Sequence, residues 1–312
     1  MNYAHFLGVN ISCGQPHAGA SLSSSKIRKY FQDFQKSGVH IFDQGDIEQL
    51  THLNQKVHCR DEIQKVNWKP YRKAFEKISQ LLKTNVPVIN WGGDHSIGIS
   101  TVGAFTAHYP DGYVLWIDAH ADLNLPEYSL TGNTHGMPLA FLLNLENVSV
   151  KNFAWLQSFL KPEKLIYLGL RDVDPFEQQM LQKLKIRYYT AQNVKTKGMV
   201  PIAGEISKIC QGQNLHISFD IDSVDPRLAP ATGLHVPDGL LAQDLQILAQ
   251  HLSPSTTLRS VDVVEVNPSM TDQAGVELTH TVALQFLAGL FQHKQKYYLD
   301  NKQTAPPLLQ GE

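Results

Sequence analysis

This sequence has few cysteines and no long apolar run, and its acidic and basic residues nearly balance. The three cysteines, Cys13, Cys59 and Cys210, lie far apart and in no spacing typical of a metal site, so we expect free thiols in a reducing compartment. No apolar run approaches the roughly 20 residues needed to span a bilayer. The first residues also lack the pattern of a secretory signal peptide. These absences favour a soluble, cytoplasmic protein.

The charge balance excludes a further class of proteins. Lys and Arg number 27 and Asp and Glu number 29, which gives a formal net charge of −2, and the basic residues are scattered. Proteins that bind nucleic acid or a membrane surface carry a basic patch, so we expect neither partner. The 312 residues, 42% of them hydrophobic, are enough for a well-buried core. No linker rich in proline, glycine or serine interrupts them, so we expect a single domain over 1–312 with a loose polar tail at 303–312.

Short apolar runs alternate with segments of helical periodicity along the chain. The runs have strand length, and several are apolar on consecutive residues, as strands buried on both faces are: 39–42, 86–91, 113–117, 164–170, 215–219 and 258–266. Helical periodicity is found at 71–82, 240–252 and 276–291. This alternation predicts an α/β fold with a mainly parallel central sheet and helices on both sides.

Residues able to bind a metal ion or a substrate follow four of these runs, at the strand ends where ligands collect in parallel sheets. Asp118, His120 and Asp122 come directly after the run 113–117. Extended backbone would project residues i, i+2 and i+4 to one side, which would bring these three side chains together. Three further candidates follow the runs at 86–91 and 215–219: His95, Asp220 and Asp222. A fourth, Glu265, directly follows the stretch 258–264, the larger part of the run 258–266.

The charge of this cluster predicts metal ions. Carboxylates that converge on imidazoles would be expelled or neutralised, because desolvation and like-charge repulsion both disfavour them. Divalent cations remove that penalty. A carboxylate-rich set without thiols suits Mg²⁺ or Mn²⁺, and the histidines shift the preference to Mn²⁺. With four or five carboxylates available, two ions that share oxygen ligands fit better than one.

Two parts of this pattern also have a purely structural explanation. His95 beside two glycines is typical of a turn, and Asp220 with Asp222 is typical of a loop cap. The Asp-x-His-x-Asp pattern directly after a buried strand is much harder to explain in that way. Most other histidines have no comparable neighbours, and we expect surface or packing positions for them: His5, His17, His40, His52, His58, His108, His216, His251 and His293.

Three motifs resemble the signatures of the ureohydrolase family, which contains arginase, agmatinase and formiminoglutamase. They are Gly-Gly-Asp-His-Ser at 92–96, Asp-Ala-His-Ala-Asp at 118–122 and Ser-Phe-Asp-Ile-Asp-Ser-Val-Asp-Pro at 218–226. Further segments at 14–16, 132–136, 169–175, 230–233 and 265–268 resemble arginase within that family. The resemblance covers nearly the whole chain. It implies a three-layer αβα fold, a parallel sheet of about eight strands and a homo-oligomer, either a trimer or a hexamer.

The resemblance also implies which residues bind two Mn²⁺ ions. One ion would be bound by His95, Asp118, Asp122 and Asp220. The other would be bound by His120, Asp118, Asp220 and Asp222, so that Asp118 and Asp220 bridge the ions. These are the six residues that spacing and charge balance single out.

Substrate and catalytic residues follow from the same resemblance. The amino-acid end of arginine would contact Asn124, Ser129, Thr131 and Asn133, and its α-amino group would contact Asp174 and Glu177. On spacing alone, Asp174 and Glu177 are typical of a helix N-cap and first turn. The catalytic residues would be Asp122, which passes a proton, His135, which carries protons to solvent, and Glu265, which faces the guanidinium.

The implied reaction is hydrolysis of L-arginine to L-ornithine and urea. Two metal ions would lower the pKa of bound water towards neutrality, and the resulting hydroxide would attack the guanidinium carbon. Alternatives are agmatine, another guanidino compound, formiminoglutamate, or a metal-binding relative without activity. Metallophosphoesterases combine similar elements, but in another order and without a counterpart of Asp220 and Asp222. One departure affects the pocket: Leu234 follows the Ala-Thr-Gly segment, where arginases commonly have threonine, and His235 comes next.

Overall fold

Eight parallel strands form one central sheet in the computed structural model, which describes residues 2–50, 55–148, 153–156 and 158–292. In chain order they are β1 (Asn2–Ile11), β2 (Val39–Leu50), β3 (Val88–Trp91), β4 (Tyr113–Ile117), β5 (Leu165–Leu170), β6 (Arg187–Thr190), β7 (Asn214–Asp220) and β8 (Thr257–Val264). Their order across the sheet is β2-β1-β3-β8-β7-β4-β5-β6. The predicted loose tail at 303–312 lies outside the described residues.

Helices cover both faces of this sheet. In the described ranges they are α1 (Ser23–Ile27), α2 (Phe31–Lys36), α3 (Arg60–Ile63), α4 (Lys69–Leu82), α5 (Gly98–His108), α6 (Pro138–Leu142), α7 (Pro175–Lys183), α8 (Ala191–Lys197), α9 (Met199–Ile209), α10 (Ala242–Ser255) and α11 (Gln273–Leu290). Successive strand residues alternate between the faces. Val114 and Trp116 pack in the core that contains α4, α5 and α6, whereas Leu115 and Ile117 pack in the core that contains α9, α10 and α11. The predicted three-layer αβα fold is confirmed.

The sequence predicts six of the eight strands and the three longest helices. Each apolar run overlaps one strand, and the predicted helices correspond to α4, α10 and α11. The run at 39–42 is the first third of β2, which continues to Leu50. β1 and β6 have weaker signals: β1 contains the polar residues His5 and Asn10, and β6 is a four-residue edge strand that begins with two exposed residues. The single-domain organisation stays a prediction. Within the described ranges, no helix is long and apolar enough to cross a bilayer.

The strands that precede the candidate site residues lie side by side. β3, β8, β7 and β4 are consecutive in the sheet. Their register pairs Trp91 with Val263, Val263 with Phe219, and Phe219 with Ile117. These four residues therefore form one row across the sheet, and the candidate site residues begin directly after it. Because all four strands are parallel, their carboxyl ends meet at one edge.

Arg171 connects two loops at this edge to the end of β5. Its guanidinium donates hydrogen bonds of 2.6–3.3 Å to five backbone oxygens, those of Gly169, Asp222, Ser223, Val236 and Pro237. Burial lowers the pKa of Arg171, but a guanidinium remains charged in any protein. The side chain therefore fixes the segment after β7 and the loop at 236–237 relative to β5.

We expect Arg171→Met to lower the free energy of unfolding by about 2–4 kcal/mol, because a charged donor is lost while the carbonyl oxygens keep their positions. Arg72→Met is a matched control, since its guanidinium pairs with Glu76 on the exposed side of α4. Such i,i+4 pairs contribute about 0.3–0.5 kcal/mol. Urea denaturation of both variants, followed by circular dichroism, measures the difference. Equal losses would show that Arg171 contributes no more than a surface ion pair.

Candidate active site

The first group of candidate metal ligands surrounds His95. Its Nδ1 lies 2.9 Å from Asp118 Oδ2, 3.0 Å from Asp122 Oδ2 and 3.0 Å from Asp220 Oδ2. None of these oxygens lies where an N–H on Nδ1 would donate a well-aligned hydrogen bond. A buried imidazole nitrogen among three carboxylate oxygens is a typical donor set for a divalent cation. His95, Asp118 and Asp122 are close enough together to hold one ion.

The second group surrounds His120 and shares a carboxylate with the first. His120 Nδ1 lies 3.1 Å from Asp222 Oδ2 and 3.4 Å from Asp118 Oδ1, and these three residues can also hold an ion. Asp118 therefore turns one oxygen towards His95 and the other towards His120. This arrangement suits two ions that share Asp118. The expected role of Asp220 as a second bridge stays a prediction.

Burial and the neighbouring charges together set the protonation of the cluster. Burial and the nearby Asp118 raise the pKa of Asp122 to about 6, and burial together with neighbouring carboxylates raises the pKa of Asp220 well above its usual range. Burial opposes ionisation of Asp118, but the adjacent imidazoles of His120 and His95 hold its pKa well below the usual range. Burial opposes protonation of both histidines, yet the carboxylates outweigh it and raise their pKa values. Protons thus offset the negative charge, a role that divalent cations can assume, so the donor set fits a metal pair.

Neighbouring groups orient these ligands. His95 Nε2 lies 2.9 Å from Ser218 Oγ, and the His95 ring stacks on Trp116 with 3.9 Å between ring centroids. Trp116 Nε1 donates a 2.9 Å hydrogen bond to Asp118 Oδ2, and Ser218 Oγ donates one of 3.2 Å to the buried Asp262. Such contacts fix the orientation of metal ligands.

The three ligands that follow β4 come together by a different route from the one predicted. β4 ends at Ile117, the chain bends at 119–120, and Asp122 adopts a φ of 50°. The segment is not extended, so alternation along a strand does not align the side chains. Instead His120 N donates a 2.7 Å hydrogen bond to Asp118 Oδ1, which closes a turn. The left-handed backbone of Asp122 costs on the order of 1–3 kcal/mol, which surrounding contacts must offset.

The turn that leads to His95 requires glycine. Gly93 has a φ of 76°, and a Cβ on it would lie 2.2 Å from the Ile11 carbonyl oxygen. Asp94 N donates a 2.9 Å hydrogen bond to that same oxygen. The Asp94 carboxylate accepts a 2.6 Å hydrogen bond from Gly14 N. These contacts join the loop after β1 to the candidate site.

A cavity of about 260 Å³ lies against the two groups. Four of the six candidate ligands line it: His120, Asp122, Asp220 and Asp222. His95 and Asp118 are buried behind the wall. All of the candidate substrate-binding residues line the same cavity: Asn124, Ser129, Thr131, Asn133, Asp174 and Glu177. The structure therefore brings both sets of predicted residues together.

The candidate catalytic residues form a connected group at this wall. Asp122 and His135 line the cavity, whereas Glu265 is buried behind His135. Glu265 adopts a φ of 60° and accepts hydrogen bonds from His95 N at 2.9 Å, from Gln15 Nε2 and from His135 Nδ1 at 3.1 Å. Burial opposes protonation of His135, but Glu265 and other nearby carboxylates raise its pKa to about 9. His135 therefore carries a proton at neutral pH.

Asp174 and Glu177 are at once helix-start residues and part of the cavity wall. Asp174 is the N-cap residue of α7, and its N donates a 3.0 Å hydrogen bond to Glu177 Oε2, as the spacing predicts. Glu177 also accepts a 2.8 Å hydrogen bond from Leu123 N, and burial raises its pKa to about 8. Asp174 Oδ2 accepts from Asn124 Nδ2 at 2.9 Å. The structural explanation of this pair holds, and it does not exclude a binding role.

Other residues of the cavity wall were not among the predicted site residues. They include Gln15, His17, Leu130 and Asp172. Asp172 Oδ2 lies 3.6 Å from His120 Nε2. Gln15 and Asp172 belong to segments that resemble arginase, which is the one sequence signal that points to them. His17, expected as a surface or packing residue, is exposed but also lines the cavity.

Comparisons with known proteins identify the family. The model of the Arginase family matches residues 2–291. The chain is 38% identical to an arginase of Schizosaccharomyces pombe over 90% of each chain, and 31% identical to the hepatic arginase of Aquarana catesbeiana over 97% of each. The crystal structure of an arginase from Bacillus subtilis superposes with a TM-score of 0.81 at 27% identity, over 94% of this chain and 99% of that one.

The family match agrees with the architecture. Residues 2–291 include every described strand and every candidate site residue. Sequence, fold and family therefore agree on the class of protein, and the resemblance of the three motifs is confirmed. The chain belongs to the arginase family and is a hydrolase.

Proposed function

We propose that this protein hydrolyses the guanidino group of L-arginine to L-ornithine and urea with two Mn²⁺ ions per chain. One observation carries the proposal: two groups of potential ligands share Asp118 and lie against a cavity lined by amide, hydroxyl and carboxylate side chains. The ligand groups suit a metal pair, and the cavity side chains suit the polar end of an amino acid. The proposal includes a cytoplasmic homo-oligomer, a trimer or hexamer, that binds neither nucleic acid nor membrane.

The proposed ligands of one ion are His95, Asp118, Asp122 and Asp220, and those of the other are His120, Asp118, Asp220 and Asp222. Imidazole together with many carboxylates favours Mn²⁺ over Mg²⁺, and the predominance of carboxylates over imidazoles suits Mn²⁺ better than Zn²⁺. When bound, the metal pair supplies Lewis acidity and a water whose pKa is lowered from about 15.7 towards neutrality.

Three side chains then handle protons and substrate orientation. Asp122 lines the cavity, where its carboxylate can accept a hydrogen bond from the attacking water and pass the proton to the leaving amine. His135 lies on the same wall, held at 3.1 Å from Glu265, and carries protons between the reaction and solvent. Glu265 orients the guanidinium through charge-assisted hydrogen bonds.

The amino-acid end of the substrate meets both donors and acceptors. Asn124, Thr131 and Asn133 would donate to the α-carboxylate, with Ser129 beside them. Asp174 and Glu177 would accept from the α-ammonium. Asn124 Nδ2 already donates to Asp174, and its second N–H can serve the substrate. The wall would thus provide one subsite for the α-carboxylate and another for the α-ammonium of an amino acid.

Agmatine is the second candidate substrate, for a specific reason. Six carboxylates line the cavity, and its described wall contains no lysine or arginine. An acidic wall favours an amine over a carboxylate. Urea release from arginine and agmatine, measured side by side, decides between the two substrates.

We expect chelation to abolish activity, and Mn²⁺ to restore more of it than Mg²⁺ or Zn²⁺. Asp118→Asn should lower occupancy of both sites, because its two oxygens face the two groups. His120→Asn should mainly empty one site, which makes it the control for Asp118→Asn. Metal content per chain, measured by mass spectrometry, tests both expectations. A single tightly bound Zn²⁺ in the active protein would contradict the manganese pair.

We expect His135→Asn to lower kcat by about 10²–10⁴-fold, because a positioned proton carrier is lost. Metal content should be retained, since the ring contacts Glu265 rather than the ligand groups. Added imidazole should restore part of the rate, whereas an equally bulky buffer without a titratable nitrogen should not. A kcat that stays at the parent value across neutral and alkaline pH would remove the proton-carrier role.

We expect kcat/KM for arginine to exceed that for agmatine by at least about 10²-fold, because each charge-assisted contact to the end groups contributes about 1.5–3 kcal/mol. Asp174→Ala should reduce this ratio and spare the metal content. The matched control is Asp272→Ala, which removes the N-cap of α11 and its hydrogen bond from Gly275 N. Loss of a cap costs about 1 kcal/mol of stability and leaves selectivity alone. If both variants keep the parent ratio, Asp174 is only a cap.

A further inference from the structure

His17 lies in the cavity wall on a segment that two neighbours hold in place. His135 N donates a 3.2 Å hydrogen bond to Gly14 O, so the segment 14–17 packs beside the segment that carries His135. On another side, a Cβ on Gly233 would lie 3.4 Å from His17 Cδ2 and 3.0 Å from Gln15 Oε1. The side chain of His17 is thus exposed to solvent, but these contacts hold the segment that carries it.

Three histidines line the cavity, His17, His120 and His135, and two of them are paired with carboxylates. His120 faces Asp118 and Asp222, and His135 is bonded to Glu265. Among the contacts that the structure describes, the ring nitrogens of His17 have no hydrogen-bond partner. The described wall contains no lysine or arginine, and its other two histidines are paired with carboxylates. His17 is therefore the basic side chain of that wall that remains available to a substrate.

We propose that His17 determines specificity by recognising the α-carboxylate of the substrate. The inference rests on the proposed function and adds a residue to it. Neutral donors such as Asn133 and Thr131 can satisfy the hydrogen bonds of a carboxylate, but they leave its charge uncompensated beside the acidic wall. The His17 imidazole, which lines the same cavity without a described partner, can donate a further N–H to the carboxylate. It supplies positive charge as well when it is protonated. The substrate class that fits is a guanidino compound with an α-carboxylate, rather than one that ends in an amine alone.

The test compares L-arginine with L-argininamide, in which a neutral amide replaces the carboxylate. His17→Leu should raise KM for arginine about two- to five-fold, the range of an exposed charge pair, and should leave KM for argininamide where it is. His17→Glu should raise KM for arginine further and lower it for argininamide. His17→Arg should keep or lower the parent KM for arginine. The arginine effects should appear in KM rather than kcat, and should shrink as salt is added.

His235→Leu is the control, because His235 is another exposed histidine near the cavity but is not part of its described wall; its Nε2 lies 2.9 Å from Pro230 O. Equal KM shifts for arginine and argininamide in the His17 variants would overturn the inference, as would equal shifts in the His235 variant. A parent protein that releases no urea from arginine would overturn the proposed function and this inference with it. A parent that does release urea, with no carboxylate-dependent change in the His17 variants, would overturn the inference alone.

Discussion

The burial of several carboxylates at one point of the sheet edge is the constraint on which the rest of the site depends. Asp118, Asp122, Asp220 and Asp222 would repel one another strongly if all were ionised in a desolvated position. The fold keeps them there because β4 and β7 end side by side in the sheet and the turns that follow are closed by backbone hydrogen bonds to the carboxylates themselves. The compensating charge must come from protons or from cations. A site of this kind is therefore suited to divalent cations on electrostatic grounds as well as by ligand type.

The site residues that can be predicted from the sequence are those that lie close together in it, directly after a strand. Asp118, His120 and Asp122 stand within five residues of a buried strand, so their spacing and the strand's apolar pattern are both visible. The local geometry is not visible, because the left-handed φ of Asp122 is imposed by tertiary contacts rather than by residue preference. The wall residue His17 is hidden for a different reason. Its segment reaches the cavity through contacts with residues far along the chain, at Asp94, His135 and Gly233.

The histidines differ in role because their surroundings differ, although the residue type is the same. His216 is fully buried and lies 3.1 Å from the Asp262 carboxylate, where it supports the sheet. His135 stands at the cavity with a pKa raised to about 9 by its carboxylate neighbours against the effect of burial. His17 is exposed and lacks a described partner. Residue type and spacing do not distinguish these three residues, because packing between distant segments makes the difference. The resemblance of the segment 132–136 is the one sequence signal that singles out His135.

One loop joins the candidate metal ligands to the candidate substrate-binding residues, which limits how the two groups can vary. Asp122 and Asn124 are two residues apart, and Leu123 between them donates its N–H to the buried Glu177. Asn124 in turn donates to Asp174. A change in this loop that suits a new substrate would therefore disturb a ligand as well. Substrate preference can vary at lower cost where the wall is formed by separate segments, at 15–17, 129–133 and 234. The departure at Leu234 and the exposed His17 both fall in these segments, which fits this coupling.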